Sequence, residues 1–416
     1  MKNLMTLIFL FTLSFNLSAQ ANCDCKPELD FVYEQMKTTS SFKDQIKREK
    51  KADFEEMYIA LGKQMITKKS TLDCFWQLNQ LMSLVQDKHA EVTGVHPDFE
   101  VADIEKPAFL AEYRSSPNFI NFPKTDVDLD QLKARLKNKL SNDIEGIYNI
   151  GSQLKLGVYR TNVADSLVGV ILSSELGTWA PGQIFAYLKA SSQASHYDIT
   201  HYGQVYKNLI FSKAQFFNNG MLFPNVLKEN IDKNYALIEL EADKGYQLSS
   251  LTENVQYMWL NSFGRTTMAE KRDALVEQIN NELKAPNLII DLRNNGGGAD
   301  KISLPILKAL RKKTENIYVI TNFFTGSNAE MTTVRLKKLF DATQLGQRTY
   351  GAISYGSNYG RRFYSPSNLF SFYPTDMRQK QFIEYEEVGV QPDVALQEGS
   401  DWVEQTLAYI NAKNGQ

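Results

Sequence analysis

Cysteine and histidine are scarce in this chain, which has three cysteines and four histidines among 416 residues. The histidines do not form an H-E-x-x-H pattern, and the "CDC" run at Cys23 and Cys25 lacks the spacing and the accompanying His/Cys cluster of a zinc site. The sequence therefore gives no support for a metal hydrolase, and we predict neither a metal nor a cofactor.

An excess of charge is also lacking. The 46 basic and 48 acidic side chains leave a formal net charge of −2, so the chain has no electrostatic footprint for nucleic acid or for an anionic membrane surface. Hydrophobic residues make up 43% and aromatic residues 12% of the chain. This composition predicts a folded protein of two or three domains with a sizeable core.

Long hydrophobic runs are missing as well. The apolar stretch within residues 1–21 has about ten apolar residues, against the roughly 20 that span a bilayer. A lysine at its start and small residues at its end are typical of a secretory signal peptide. We therefore predict a signal peptide over residues 1–21, no membrane-spanning segment after its removal, and a protein located in the periplasm or secreted.

Export makes disulfides possible, and the odd number of cysteines leaves one thiol over. We expect Cys25 or Cys23 to pair with Cys74, which would tie the N-terminus to a helix. A lipid anchor on Cys23 is a minor alternative, because the preceding residue is an asparagine rather than a small residue.

The apolar pattern divides the remaining chain into three regions. Apolar residues have helical spacing from about residue 26 to 90, which predicts a helical N-terminal region at residues 22–125. Residues 97–140 are interpreted as a proline-containing connector followed by the short helix "DLDQLKARLKNKL". Residues 126–234 form a β-rich middle module, since the runs "EGIYNI", "LKLGVYRT", "LVGVILSS" and "YALIEL" between about residues 142 and 240 predict a small antiparallel sheet or barrel.

Residues 235–416 have the pattern of an α/β domain. The runs "LIIDLR" and "IYVITNFF" flank the helical stretch "KISLPILKALRKK", which predicts a βαβ unit with a buried parallel sheet. The helix "TMAEKRDALVEQINNELK" precedes this unit and covers the sheet, and the amphipathic stretch "DWVEQTLAYINAK" ends the chain.

A serine stands between the second of these strands and the next helical pattern, in "TGSNAE". Ser327 and Glu330 fit a capping box, which is the structural interpretation of this serine. The free N–H groups and the dipole of a helix N-terminus also favour an oxyanion, which is what a nucleophilic serine requires. The segment alone therefore leaves both a cap and a nucleophile open.

A glycine-rich turn, "NNGGG", follows the first strand. Three glycines allow a sharp turn that exposes backbone N–H groups to a ligand. A phosphate site is the competing interpretation, but neither G-x-x-x-x-G-K-[ST] nor G-x-G-x-x-G occurs, so we expect no nucleotide.

Five segments, in the order "QDKHAEV", "LIIDLRNNGGG", "TGSNAE", "GQRTYG" and "EEVGVQPDV", resemble the C-terminal-processing and tricorn-like serine peptidases of family S41. The resemblance covers roughly residues 75–95 and 235–400. It implies a ClpP/crotonase-like α/β catalytic domain that cleaves a peptide or protein substrate through an acyl-enzyme without a cofactor. The middle region resembles a lipocalin-like or other small β-barrel module and lacks the glycine-rich carboxylate-binding loop of a PDZ domain.

The resemblance also implies the residues of the nucleophile site. In the family the serine of S-x-x-E is the nucleophile, which corresponds to Ser327. The oxyanion hole would be formed by backbone N–H groups of Gly296 or Gly297 together with that of Asn328.

The base is predicted from the branch of the family. The C-terminal-processing branch has a lysine after T-x-G, where this chain has Ala352. The tricorn-like branch uses the histidine of D-x-H, which corresponds to His89, and a glutamate just before G-V-x-P-D, which corresponds to Glu386. Glu387 is a neighbouring candidate for that role. In the tricorn-like pattern a serine can stand directly before the histidine, whereas this chain has Lys88 at that position.

Three other charged residues have structural interpretations. We expect Asp291 and Arg293 to pair or brace loops and Asp393 to fix the turn after Pro392. The rival function is a non-catalytic carrier of hydrophobic ligands or a peptide-binding protein on the same fold. Retention of the serine, the histidine, the glutamate and the glycine turn together favours the peptidase. The oligomeric state does not follow from the sequence.

Overall fold

A computed structural model describes residues 22–222, 226–238, 244–311, 313–356 and 360–415. The predicted signal peptide at residues 1–21 lies outside the described residues. Among the helices of the described ranges, none is long and apolar enough to cross a membrane.

The described residues form eleven α-helices and two short 3-10 helices, Val101–Glu105 and Lys380–Tyr385. The α-helices are α1 Cys25–Thr38, α2 Ser40–Gln45, α3 Glu49–Gln64, α4 Thr71–Met82, α5 Pro107–Ser115, α6 Pro117–Ile120, α7 Leu129–Leu136, α8 Ala269–Glu282, α9 Asp300–Ala309, α10 Asn328–Phe340 and α11 Trp402–Asn414.

Twenty strands are described. They are β1 Asn22–Cys23, β2 Lys69–Ser70, β3 Glu91–Gly94, β4 Gly146–Ile150, β5 Leu154–Arg160, β6 Ser166–Ser174, β7 Ile184–Ala190, β8 His196–Tyr202, β9 Leu209–Gln215, β10 Val226–Lys228, β11 Ser249–Thr252, β12 Val255–Trp259, β13 Asn287–Asp291, β14 Asn316–Thr321, β15 Thr343–Gly346, β16 Tyr355–Gly356, β17 Phe363–Tyr364, β18 Phe370–Tyr373, β19 Met377–Arg378 and β20 Val394–Ala395.

The N-terminal region is helical, as predicted. Leu29, Val32 and Met36 recur at helical spacing on one face of α1, and all three are buried in the core that α1 shares with α4. A disulfide between Cys25 and Cys74 joins the start of α1 to α4, with the two Cα atoms 5.5 Å apart. This is one of the two pairings expected, and the remaining thiol, Cys23, is buried.

The proline-containing connector differs from its prediction. Pro107 and Pro117 are the first residues of α5 and α6. The first residue of a helix has no intrahelical partner for its N–H group, so proline is tolerated there and its fixed φ suits the helix. The region predicted as a connector therefore contains two short helices that begin at prolines.

The middle region forms an antiparallel sheet of seven strands, in the order β10-β4-β5-β6-β7-β8-β9. Buried and partly exposed residues alternate along β4, as in a sheet with one face against a core. The antiparallel sheet is confirmed, with β10 and β9 as its two edges. The strand predicted for "YALIEL" is not found at residues 235–238, which form a turn, and residues 239–240 lie outside the described residues.

The C-terminal region contains a six-stranded sheet in the order β11-β12-β13-β14-β15-β20, parallel from β12 to β20. On one face, Leu275 of α8 and Ile302 of α9 share a core with Leu288. On the other face, Ile289 packs with Trp402 of α11. Because helices cover both faces, β13 is buried along its whole length, and its three central residues, 288–290, are all apolar.

Candidate active site

Two turns at the carboxyl ends of β13 and β14 come together to form the candidate site. The N–H group of Gly326 donates to the carbonyl oxygen of Asn295 at 2.9 Å, which joins the turns. Gly297 has φ +100°, and a Cβ atom placed on it would lie 2.7 Å from the Cβ of Ser327 and 2.8 Å from the nitrogen of Asn328. Only glycine fits this position, so the glycine-rich turn packs directly against the predicted nucleophile.

The backbone of Ser327 is strained. It has φ 50° and ψ −119°, a conformation that costs a non-glycine residue roughly 1–3 kcal/mol. An ordinary helix N-cap has extended dihedral angles, so a capping role alone does not require this conformation. Strain of this kind concentrates at active sites, because the surrounding contacts must hold it in place.

The backbone N–H groups at the two turns differ in availability. Gly297 donates its N–H to Asn295 Oδ1 at 2.8 Å, and Ser327 donates its N–H to Glu330 Oε2 at 2.9 Å. Within the described ranges, the N–H groups of Gly296 and Asn328 have no hydrogen-bond partner. Of the two glycines predicted as oxyanion donors, Gly296 therefore has the free N–H group.

Glu330 connects the serine turn to the "TYGA" segment. It is fully buried and accepts, besides the Ser327 N–H, hydrogen bonds from Thr349 Oγ1 at 2.6 Å, from Gly351 N at 2.7 Å and from Ala352 N at 2.9 Å. Burial raises the pKa of Glu330, and these four donors oppose the rise. Sequence reasoning identified Glu330 only as a cap partner and missed this wider role.

Asp87 fixes the turn that carries His89. Its Oδ1 accepts the N–H groups of His89 and Ala90, both at 3.1 Å, and its Oδ2 accepts from Thr375 Oγ1 at 2.8 Å. Burial lowers the pKa of His89, which favours the neutral ring that a general base requires. The Nδ1 atom of this ring is buried, and within the described residues it has no hydrogen-bond partner.

Glu386 is buried, and backbone groups hold its carboxylate. Its Oε2 accepts from Ile353 N at 3.0 Å and from Ser354 N at 2.7 Å, while its Oε1 lies 3.5 Å from the nitrogen of Lys88. Burial raises the pKa of Glu386 to about 7. The carboxylate therefore reaches the backbone next to His89, and no hydrogen bond among the described residues joins it to the ring.

The neighbouring candidate, Glu387, is directed elsewhere. It has φ 65° and pairs with Lys213 of the middle sheet at 3.3 Å. Of the two glutamates, Glu386 is therefore the one that lies against the turn of His89.

Lys88 also contacts this region. Its Nζ donates to the carbonyl oxygen of Tyr350 at 2.6 Å and lies 4.1 Å from the centre of the Tyr350 ring. The N–H of Tyr350 donates to Thr325, two residues before Ser327, at 2.9 Å. Burial lowers the pKa of Lys88, and the charge of Glu387 opposes this. From the sequence, Lys88 was only a departure from the family pattern.

The structure thus brings together the two turns around Ser327, and it places Glu386 and Lys88 around the turn of His89. It shows no hydrogen bond between Ser327 and His89 among the described residues. A cavity of about 520 Å³ is lined by middle-module residues such as Arg160 and Tyr197 and by none of the predicted catalytic residues.

The charged residues with structural interpretations behave as expected. Arg293 Nη2 lies 2.6 Å from Asp291 Oδ2, both side chains are buried, and Arg293 also donates to the Tyr235 carbonyl at 2.7 Å. Asp393 accepts from Lys337 Nζ and from Gln344 N, both at 2.8 Å, and so braces its turn.

The architecture is the predicted one, with an α/β region that follows a helical N-terminal region and a β-rich middle. The model of the family described as "Peptidase family S41" matches residues 254–315, which include β13 and the glycine-rich turn. This match confirms the resemblance to S41 and supports a peptidase function. It does not extend to Ser327, His89 or Glu386, whose roles stay predictions.

Solved structures resemble this chain at low identity. Mature CPAF is 11% identical, with 90% of this chain and 92% of that chain covered and a TM-score of 0.45. The photosystem II D1 C-terminal processing protease is 12% identical, with 91% and 94% covered and a TM-score of 0.38. A putative peptidase from Parabacteroides merdae is 14% identical, with 94% and 97% covered and a TM-score of 0.39.

These likenesses are too distant to carry an argument about the site. A comparison with curated proteins found no match.

Proposed function

We propose that the protein is an exported serine endopeptidase or oligopeptidase with Ser327 as its nucleophile. The observation that carries this proposal is the strained backbone of Ser327, which packs against Gly297 at the carboxyl edge of the parallel sheet. A purely structural helix start does not require this strain, whereas a nucleophile that must project between two turns makes use of it.

The reaction would be acyl transfer from a peptide or protein substrate. The Oγ of Ser327 forms a bond to the scissile carbonyl carbon while His89 accepts the hydroxyl proton. The negative charge on the carbonyl oxygen is stabilised by the N–H groups of Gly296 and Asn328, which have no other partner within the described ranges. The C–N bond then breaks, and His89 returns the proton to the leaving amine.

Deacylation would follow the same route with water. His89 accepts a proton from a water molecule, the resulting hydroxide attacks the acyl-enzyme, and the bond to Ser327 Oγ breaks as that oxygen regains a proton. Glu386 would orient His89 from the adjacent backbone. To orient the ring once substrate is bound, Glu386 would have to interact with His89 Nδ1, which has no hydrogen-bond partner among the described residues.

The proposed location is the periplasm or the cell exterior. The layout of residues 1–21 supports it, and the Cys25–Cys74 disulfide is compatible with an oxidising compartment. Fractionation of cells that express the full chain, with the mass of the N-terminus of the recovered protein, tests the location.

Covalent labelling by an alkyl fluorophosphonate, followed by intact-mass analysis, tests the activity. We expect one adduct on wild type, none on Ser327→Ala and at least 100-fold slower labelling of His89→Ala. Ser195→Ala is a matched control, since Ser195 is an exposed serine that also has a positive φ of 60°. Undiminished labelling of His89→Ala would place the base elsewhere, and no labelling of folded wild type would favour the ligand carrier.

A further inference from the structure

Asp300 lies between the two turns of the candidate site. It is the first residue of α9 and lies two positions after the last glycine of the glycine-rich turn. Its Oδ1 accepts from Asn328 Nδ2 at 2.5 Å and from Arg335 Nη1 at 2.6 Å, and its Oδ2 accepts from Arg335 Nη2 at 3.2 Å. A single carboxylate therefore connects the helix after the glycine-rich turn to the helix that begins after Ser327.

The contact with Asn328 fixes the side chain next to the nucleophile. Burial raises the pKa of Asp300, but hydrogen bonds from Arg335 and Asn328 outweigh burial and lower the pKa overall. An ionised carboxylate only accepts hydrogen bonds, so the Nδ2 end of Asn328 must face it. Asn328 is 3% exposed, and a buried carboxamide held in one orientation also restrains its own backbone.

We propose that Asp300 is a positioning residue that holds the strained Ser327 turn and the N–H group of Asn328 in register with the glycine-rich turn. The inference rests on the proposed peptidase function and adds to it a residue that the family resemblance did not indicate.

Strained backbone persists only where surrounding contacts over-determine it. Glu330 holds the Ser327 N–H at 2.9 Å, and Gly297 packs against the Cβ of Ser327. These contacts hold Ser327 itself, and Gly297 also lies against the backbone nitrogen of Asn328. The hydrogen bond to Asp300 adds a restraint on the Asn328 side chain. An oxyanion donor must lie within about 2.7–3.1 Å of the developing charge, so a small displacement of Asn328 carries a large loss of rate.

Asp393 offers a matched control, because it too pairs with a cationic side chain of α10. Its carboxylate, like that of Asp300, accepts from one cationic side chain of α10, Lys337, and from one other donor, the N–H of Gln344. Their exposures are comparable, 46% for the Asp393 side chain and 39% for that of Asp300. Replacing either aspartate with alanine breaks similar bonds, but only Asp300 is bonded to the residue next to the nucleophile.

The experiment measures the inactivation rate constant and the half-saturating concentration of the alkyl fluorophosphonate separately, together with thermal stability. We expect Asp300→Ala to lower the rate constant about 100-fold, the loss typical of one misplaced catalytic group, with little change in half-saturation. Asp300→Asn can still accept from Asn328 and should recover most of the rate. Asp393→Ala should match Asp300→Ala in stability and wild type in rate.

A rate constant of Asp300→Ala within about three-fold of wild type would overturn the proposed role, as would an equal loss of rate in Asp393→Ala. If Asp300→Ala does not fold, Asn328→Ala is the second variant, because it keeps the Asp300–Arg335 pair. It should still lower the inactivation rate constant about 10-fold. An unchanged rate constant in Asn328→Ala would also overturn the proposed role. A folded wild type that is not labelled would overturn the peptidase proposal itself, and this role with it.

Discussion

Replacing Glu386 with glutamine is expected to change how the stability of the protein depends on pH. Burial raises the pKa of this carboxyl from 4.5 to about 7, and the charge of Asp87 adds to the rise, against backbone N–H groups that lower it. The folded protein therefore keeps a proton that the unfolded chain has already released between these two pH values. The stability contribution of the protonated group is fully present below about pH 4.5 and is lost as the pH rises through about 7.

The size of the effect follows from the two pKa values. At about 1.4 kcal/mol for each pKa unit, the interval between 4.5 and about 7 corresponds to roughly 3 kcal/mol of unfolding free energy. Glutamine is neutral throughout and can still accept a hydrogen bond from Ser354 or Ile353. The free energy of unfolding of wild type should therefore fall by up to this amount as the pH rises from 4.5 to 8, and Glu386→Gln should lack this fall. The stability of Glu386→Gln relative to wild type should increase over the same range.

Urea denaturation followed by tryptophan fluorescence, at several pH values between 4.5 and 8, measures this difference. Glu387→Gln is the control, because Glu387 is adjacent in sequence but pairs with Lys213. Parallel stability curves for wild type and Glu386→Gln would refute the reasoning, since they would show that Glu386 releases its proton at the same pH in both states.

Three further perturbations have defined outcomes. Gly297→Ala should lower the free energy of unfolding in urea by on the order of 3 kcal/mol and abolish fluorophosphonate labelling. The reason is that the added Cβ would lie 2.7 Å from the Cβ of Ser327, at a residue with φ +100°. Labelling of this variant at the wild-type rate would contradict the packing. Removing both Cys25 and Cys74 should cost about 3–4 kcal/mol for a loop of 49 residues, with a matching fall in the thermal midpoint. Burial lowers the pKa of Lys207 from 10.5 to about 7. Between pH 7 and pH 10 the unfolded chain holds a proton that the folded protein has released, so wild-type stability should rise with pH. Lys207→Met should flatten this rise, and an unchanged slope in that variant would refute the prediction.

In the α/β region, the helices α8, α9 and α11 and the strands β13 and β14 could be predicted because each depends on residues close together in the chain. Leu275 and Ile279 mark the buried face of α8 by their spacing alone, and the apolar residues 288–290 indicate a strand covered on both faces. The two short helices that begin at Pro107 and Pro117 were missed, because proline marks turns as well as the first residue of a helix, and the mixed local pattern did not separate the two cases.

The candidate site was predicted in part. The serine, the glycine-rich turn and the capping glutamate are contiguous with recognisable elements, and the parallel βαβ order indicates that the two turns share one edge of the sheet. The hydrogen bonds of Glu330 to Thr349 and of Asp300 to Asn328 join residues 19 and 28 positions apart. Such pairs leave no periodic signal in a single sequence.

By itself, the sequence determined the order of the helical, β-rich and α/β regions and placed a serine at a strand-to-helix turn, since backbone propensity and apolar spacing are local properties. It also limited the expected disulfide to two alternatives, Cys25 or Cys23 with Cys74. Only the tertiary structure decided that Cys25 rather than Cys23 pairs with Cys74, that Ser327 is strained against Gly297, and that Glu386 contacts backbone groups rather than the ring of His89. These outcomes depend on which distant segments pack together, and packing is determined by the whole core at once.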